Sequence, residues 1–181
     1  MAKTFVGGAG ILVLALAAHD LGVIAKAAVA PNQDVFALFD LGAPESGPFP
    51  SDIFTVQDAS HNTGRRLAHP YPDCTQQPSD CDDLDVVNTL DGWGLQTRLS
   101  VPFSGDIDLR TVTNDSIVVV SLGSTLPGNP AGGERIGINQ VVWDVATHTV
   151  HFEVDRLLDQ YRRYGVVVTR DVLDTRGKHV K

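Results

Sequence analysis

The chain has 181 residues, of which 43% are hydrophobic and 20% charged, with 17 glycines and 10 prolines. That length suits one domain with its own core, and the apolar content excludes a disordered polymer. Lys and Arg number 14 against 22 Asp and Glu, a formal charge of −8. No basic cluster exceeds the pairs Arg65-Arg66 and Arg162-Arg163, so the phosphate-neutralising patch of a nucleic-acid binder is missing.

The first thirty residues differ from the rest. Lys3 is a short positive start, and the uncharged apolar run from Phe5 to Ala18 is shorter than the roughly 20 residues that cross a bilayer. A small-residue tail follows, with Ala25-Lys26-Ala27 as a small-x-small cleavage pattern and Ala15-Leu16-Ala17 as a second candidate. Residues 1–27 are therefore predicted to be a signal peptide, against the competing readings of an uncleaved anchor or a buried N-terminal helix. The mature protein is expected to be exported, to the extracellular space, the cell surface or the periplasm, with no transmembrane span. Cys74 and Cys81 are the two cysteines, in the stretch PDCTQQPSDCDD. An exported chain meets an oxidising compartment, so they are predicted to form a disulfide; free thiols and a metal site are the alternatives.

Residues 28–47 read as a segment leading into the domain. Asp52 to Gln57 is predicted as a first short strand. A Pro-rich loop fastened by the disulfide follows, and then one helix over Asp82 to Leu90, where Leu84, Val87 and Leu90 recur at near-helical spacing and acidic residues fill the first turn. Beyond Trp93 the period changes to two. Thr97, Leu99, Val101 and Phe103 alternate with Arg98, Ser100 and Pro102, and the proline places this strand at an edge or a bend. Ser116 to Leu122 is a β-branched run suited to a central strand. Arg135 to Asp144 reads as the next strand. In His148 to Val154, Val150, Phe152 and Val154 take one face, and Asp144 to Thr147 joins the two strands at hairpin length. Asp155 to Gln160 is read as a single helical turn, Arg162 to Arg170 as a strong strand, and Asp174 to Gly177 as a tight turn. Strands at short intervals with one brief helix predict an all-β fold, an antiparallel β-sandwich over residues 48–181. The chain stops just after a turn, so the sandwich is expected to be truncated at its C-terminal end.

Most candidate chemistry fails on pattern. No GxSxG elbow is present, and Gly123-Ser124 and Glu45-Ser46-Gly47 lack its flanking residues, so no enzyme activity is expected of this chain. His148 and His151 lie an odd number of residues apart and would face opposite sides of a strand, so they cannot chelate one ion. Asp80, Asp82, Asp83, Asp85 and Asp91 could hold calcium, but they lack the spacing and central glycine of an EF-hand loop, and helix capping explains the first-turn acids. No cofactor is expected, with calcium kept open. Trp93 and Trp143 are read as core residues, with a ligand platform as the alternative.

Four blocks carry a resemblance: PFPSDIFT (48–55), NTLDGW (88–93), LSVPFSGDID (99–108) and YGVVVTRDVLDTRGKHV (164–180). In this order they resemble the N-terminal Ig-like domain of bacterial virulence-factor lipases, exported proteins whose α/β-hydrolase domain lies downstream. The family usually has Phe where this chain has Trp93, and its nucleophile has no matching position here. The resemblance implies an Ig-like sandwich, a non-catalytic accessory domain that packs against or spaces a downstream hydrolase domain of the same polypeptide. The alternative is an Ig-like binding or adhesion module of a bacterial surface protein, possibly calcium-stabilised.

Overall fold

The structure, a computed structural model, describes residues 33–43, 46–128 and 131–181. The predicted signal peptide, residues 1–27, lies outside the described residues.

Alternation of apolar and polar side chains builds the sheets as the sequence predicts. The strands are β1 Thr55–Gln57, β2 Arg65–Leu67, β3 Leu99–Pro102, β4 Ile117–Ser124, β5 Arg135–Ile136, β6 Ile138–Asp144, β7 Thr149–Val154 and β8 Arg162–Val168. A single α-helix among the described residues, α1, spans Pro78–Val87. Every strand pairing is antiparallel, and the sheet orders are β1-β2, β3-β7-β6 and β5-β4-β8. The fold is all-β with one short helix.

The two three-stranded sheets turn their apolar faces into one core. Val150 and Phe152 of β7 are fully buried, as are Ile117 and Val119 of β4, and Leu99 and Val101 of β3 join the same cluster. Enclosing a side chain such as Phe152 is worth roughly 1.5–3 kcal/mol relative to leaving it in water. His151 and Glu153, on the other face of β7, stay half-exposed. Pro102 sits on an outer strand, where its missing N–H costs no ladder bond. The outer edge of β3 is met by the leading segment through isolated bridges, Ala37 to Phe103 and Phe49 to Ser100.

The stretch read as one strand, Arg135 to Asp144, is two. It breaks at Gly137, with β5 in one sheet and β6 in the other. A Cβ at Gly137 would stand 2.3 Å from Asp155 Oδ2, so glycine lets the crossing chain pass close to Asp155. The Asp155 N–H donates to the Gly137 carbonyl at 3.0 Å, and the Ile138 N–H donates to Asn114 Oδ1 at 2.6 Å. This crossover closes the sheets along β5 and β6. Along β3 and β8, which do not pair with each other, they stay open. β6 is bulged between Asn139 and Val142, where Gln140 takes φ 49°.

Three further expectations change. Residues 52–54 form a 3-10 turn rather than strand, because the Ser51 hydroxyl accepts from the Ile53 N–H and starts a turn there. The helix begins at Pro78, four residues before the predicted start, since a proline in the first turn has no N–H to leave unpaired. Its buried position is Cys81, and Leu90 is exposed beyond its end. Asp155 to Gln160 is not helical: the Leu158 N–H is held by the Leu95 carbonyl and the Asp159 N–H by Tyr164 Oη. The tight turn at Asp174 forms as read, with the Gly177 N–H on the Asp174 carbonyl at 2.9 Å and Gly177 at φ 77°.

Candidate functional site

Between Pro50 and Gly92 the chain leaves the two sheets and folds as a lobe of β1, β2 and α1. Within it, Asn88 is buried and bridges the main chain at His69 in both directions, accepting from the N–H at 2.7 Å and donating to the carbonyl at 3.1 Å. Cys74 and Cys81 place their sulfurs 2.03 Å apart and tie the turn before α1 to the first turn of the helix. The lobe is anchored by rings: Phe49 meets Trp93 at 4.9 Å, His69 meets Trp93 at 5.2 Å, and Phe54 stacks on His69 at 5.2 Å. Trp93 is thus packed among rings, and its indole N–H is buried without a hydrogen-bond partner. Trp143 packs against the core, with Phe103 on one side and the His148 ring stacked at 6.2 Å.

Under this lobe, at the open side of the sheets, lies a cleft of about 890 Å³. Val166 and Val168 of β8 line it together with the buried Leu99, Val101 and Val119, and its charged lining is Asp52, Arg65, Arg66 and Asp91 of the lobe with Asp159, Arg162 and Arg163. At one end the lobe reaches β8 directly, through an Arg163–Asp52 ion pair at 2.5 Å and a contact of Asn62 Nδ2 with Tyr161 Oη at 3.4 Å. Arg162 is committed elsewhere, donating to the Ala131 carbonyl at 2.7 Å and to Ser121 Oγ at 3.1 Å. Arg65 is likewise committed, donating to Thr55 Oγ1 at 2.6 Å.

Among the described residues, the main chain of β8 has one satisfied and one open edge. The Thr169 N–H donates to the Ser116 carbonyl, which fixes the parity of the β4–β8 ladder. Ser121 bonds the other way, to Gly133 and Glu134, in agreement with that parity. Val167 and Gly165 therefore bond to β4, and the N–H and C=O groups of Tyr164, Val166 and Val168 point away from it, along the cleft.

One grouping matches no sequence motif. Asp58, Ser60 and His61 lie together in the turn before β2, with Ser60 Oγ 2.6 Å from Asp58 Oδ1 and 3.3 Å from His61 Nδ1. A serine triad needs the serine and the carboxylate on opposite ring nitrogens. Here both approach Nδ1, since Asp58 Oδ2 is 3.4 Å from it, while Nε2 lies 2.9 Å from the Thr89 carbonyl. No proton can pass from hydroxyl to carboxylate through such a ring. The contacts are structural: the bond to the Thr89 carbonyl raises the His61 pKa, and the Ser60 hydroxyl and amide lower that of Asp58. Ser46 and Ser124 also serve their loops, donating to the Ala43 carbonyl and accepting from the Leu126 N–H.

The acidic residues considered for calcium are dispersed. Asp80, Asp82, Asp83 and Asp85 lie on α1, where Asp85 accepts from Tyr71 Oη, and Asp91 accepts from Thr63. Among the described residues no group of three or more His, Cys, Asp or Glu side chains could hold a metal ion. His148 lies just before β7 at φ 49°, 3.5 Å from Asp106, and His151 is on the strand. Among the described residues no helix is long and apolar enough to cross a membrane. Comparison of the chain with family models, curated proteins and solved structures finds no match.

Proposed function

We propose that the chain is an exported, non-catalytic Ig-like β-sandwich that packs against, or spaces, a downstream hydrolase domain, as in the lipases its sequence resembles. The observation that carries this reading is the way the four resembling blocks meet. Phe49 of the first packs on Trp93 of the second and pairs with Ser100 of the third, and Ile107 of the third pairs with Asp174 of the fourth. Segments scattered over more than a hundred residues thus form one contiguous frame, as expected of blocks that share a structural task. Two antiparallel sheets around one core suit the Ig-like designation, and the Cys74–Cys81 bridge suits an oxidising compartment.

The test has three arms. The reading frame beyond Lys181 is expected to encode a GxSxG elbow with downstream Asp and His; a stop codon, or further Ig-like repeats, removes the hydrolase partner. Purified chain is expected to leave short- and long-chain nitrophenyl esters uncleaved, and turnover above a heat-inactivated control overturns the non-catalytic role. Protein exported by a bacterial host is expected to begin near Ala28, and an intact Met1 on exported protein contradicts the signal peptide.

A further inference from the structure

We propose that the Cys74–Cys81 bridge is a thiol–disulfide exchange site, which takes a small thiol onto Cys74 and prefers cationic thiols to anionic ones. The two cysteines differ in access. Cys74 lies exposed in the turn before α1, while Cys81, on the helix, is 8% exposed. An attacking thiolate approaches the sulfur it will bond from the side opposite the S–S bond, and the exposed residue offers that approach where the buried one does not. The thiolate forms a new S–S bond to Cys74 Sγ, the Cys74–Cys81 bond breaks, and its electron pair leaves on Cys81 as a thiolate. A second thiolate can then attack the bound reagent's sulfur, which releases the reagent as its own disulfide and leaves both cysteines reduced. Attack by Cys81 on Cys74 Sγ instead expels the reagent and restores the bridge. The small thiol is the one reductant required.

Local charge sets the preference. From Leu67 to Thr97 the chain holds six Asp and no Lys or Arg. Four of these flank the bridge in sequence: Asp73 precedes Cys74, and Asp80, Asp82 and Asp83 surround Cys81, all of them exposed. Asp73 accepts from the hydroxyl and the N–H of Thr75, which holds its carboxyl below the ordinary 3.8, so it is ionised wherever thiols react. Arg66, the last cation before this stretch, donates to the Asn88 carbonyl, beyond the opposite end of α1. At ordinary helical rise that is roughly 10 Å along the axis from Cys81, a full Debye length at about 0.1 M salt. A thiolate with a further negative charge is therefore repelled from the bridge and one with an ammonium group is drawn in, and salt weakens both effects. The inference does not depend on a hydrolase domain following this chain.

The experiment uses the 181-residue protein, with cysteamine and 2-mercaptoethanesulfonate as the cationic and anionic probes. Each rate of bridge opening, expressed per thiolate, is divided by the rate of the same thiol on hydroxyethyl disulfide, which removes differences in intrinsic nucleophilicity. Cysteamine is expected to lead by at least about fivefold at ~10 mM salt and by less than about twofold at ~0.5 M. Peptide mapping of acid-quenched samples is expected to place the first adduct on Cys74 and to find Cys81 as the free thiol. Asp80→Asn, Asp82→Asn and Asp83→Asn together are expected to shrink the low-salt ratio by about twofold or more. The salt series on the parent protein decides the matter even if that triple variant fails to fold. A bridge that neither thiol opens when in large excess, first adducts on Cys81, or a rate ratio that salt does not move overturns the proposal.

Discussion

The Phe49 ring meets the Trp93 indole edge-on, with centroids 4.9 Å apart and planes at 77°, at the two points where the chain leaves the sheets for the lobe and returns from it. This contact holds both connections in one aromatic joint, and at the far side of the lobe the Arg163–Asp52 ion pair and the Asn62–Tyr161 contact meet it.

Trp93→Phe keeps a ring in the joint and removes the buried indole N–H that has no partner. Stranding such a group costs about 1–3 kcal/mol, which offsets the lost indole area, and the net change in unfolding free energy is expected to stay below about 1 kcal/mol. Trp93→Ala empties the joint and is expected to cost about 3 kcal/mol. Urea titration followed through Trp143 measures both; equal losses in the two variants contradict this account of the joint.

Replacing Cys74 and Cys81 together by serine releases a short loop. The chain-entropy relation assigns that closure about 2.5 kcal/mol. The denaturation midpoint is expected to fall while β3 to β8, which lie outside the closed loop, keep their far-ultraviolet signature. Non-reducing mass spectrometry should find both cysteines in one linked peptide. Free alkylation of both thiols in protein from an oxidising compartment contradicts the bridge.

Asp174 is 2% exposed and charged. Its Oδ1 accepts from the N–H groups of Arg176 and Lys178, and its Oδ2 from the Arg176 guanidinium. Burial pushes its carboxyl up, but those donors outweigh it and hold the pKa below the ordinary 3.8. A depressed carboxyl stabilises the fold above its unfolded pKa, and that stabilisation is lost as pH falls through the depressed value. Stability is therefore expected to drop as pH falls below about 4, and Asp174→Asn to flatten that acid limb. At pH 7 the substitution is expected to cost about 2–4 kcal/mol, since it weakens charge-assisted bonds at a buried turn. Thermal melts from pH 2 to 7 decide it; parallel acid limbs in the two proteins refute the assignment.

Gly132 and Gly177 should differ when changed to alanine. At Gly132 a Cβ would stand 2.9 Å from the Leu122 carbonyl carbon and 3.0 Å from Ser121 O, main-chain atoms of β4 that cannot swing aside. Gly132→Ala is expected to cost about 1–3 kcal/mol through displaced backbone. At Gly177 nothing lies within 4 Å of the new methyl, and only φ 77° opposes it, so the cost is about 1 kcal/mol. Melting temperatures in the reverse order would contradict the packing at the β4 bulge.

Strands with an inward apolar face were legible because period-two alternation has one physical reading when a face is buried. Leu99, Val101 and Phe103, then Val150, Phe152 and Val154, follow it residue by residue. The hairpin at Asp144 was legible too, since its carboxylate accepts from the Ala146 N–H at 2.8 Å, a local bond that local sequence specifies. Distant contacts hid the rest. Gly137 gives no sign that the chain changes sheets there; the reason is Asp155, eighteen residues on. The stretch from Asp155 to Gln160 reads as a helical turn, which Leu95 and Tyr164 prevent by taking the main-chain N–H groups of Leu158 and Asp159. The cleft was illegible for the same reason. Its lining draws on three strands far apart in the chain, and among the described residues β8 keeps a free edge because β3 does not pair with it.

β6 is the outermost strand of its sheet, and its middle is kinked where Gln140 and Val141 together face Phe152. A growing fibril requires evenly spaced donors and acceptors along a straight border, and this kink interrupts that spacing beside the exposed Val141 and Val142. The kink therefore disfavours edge-to-edge pairing of one chain's β6 with another's, which is the border where two exposed valines would otherwise invite it.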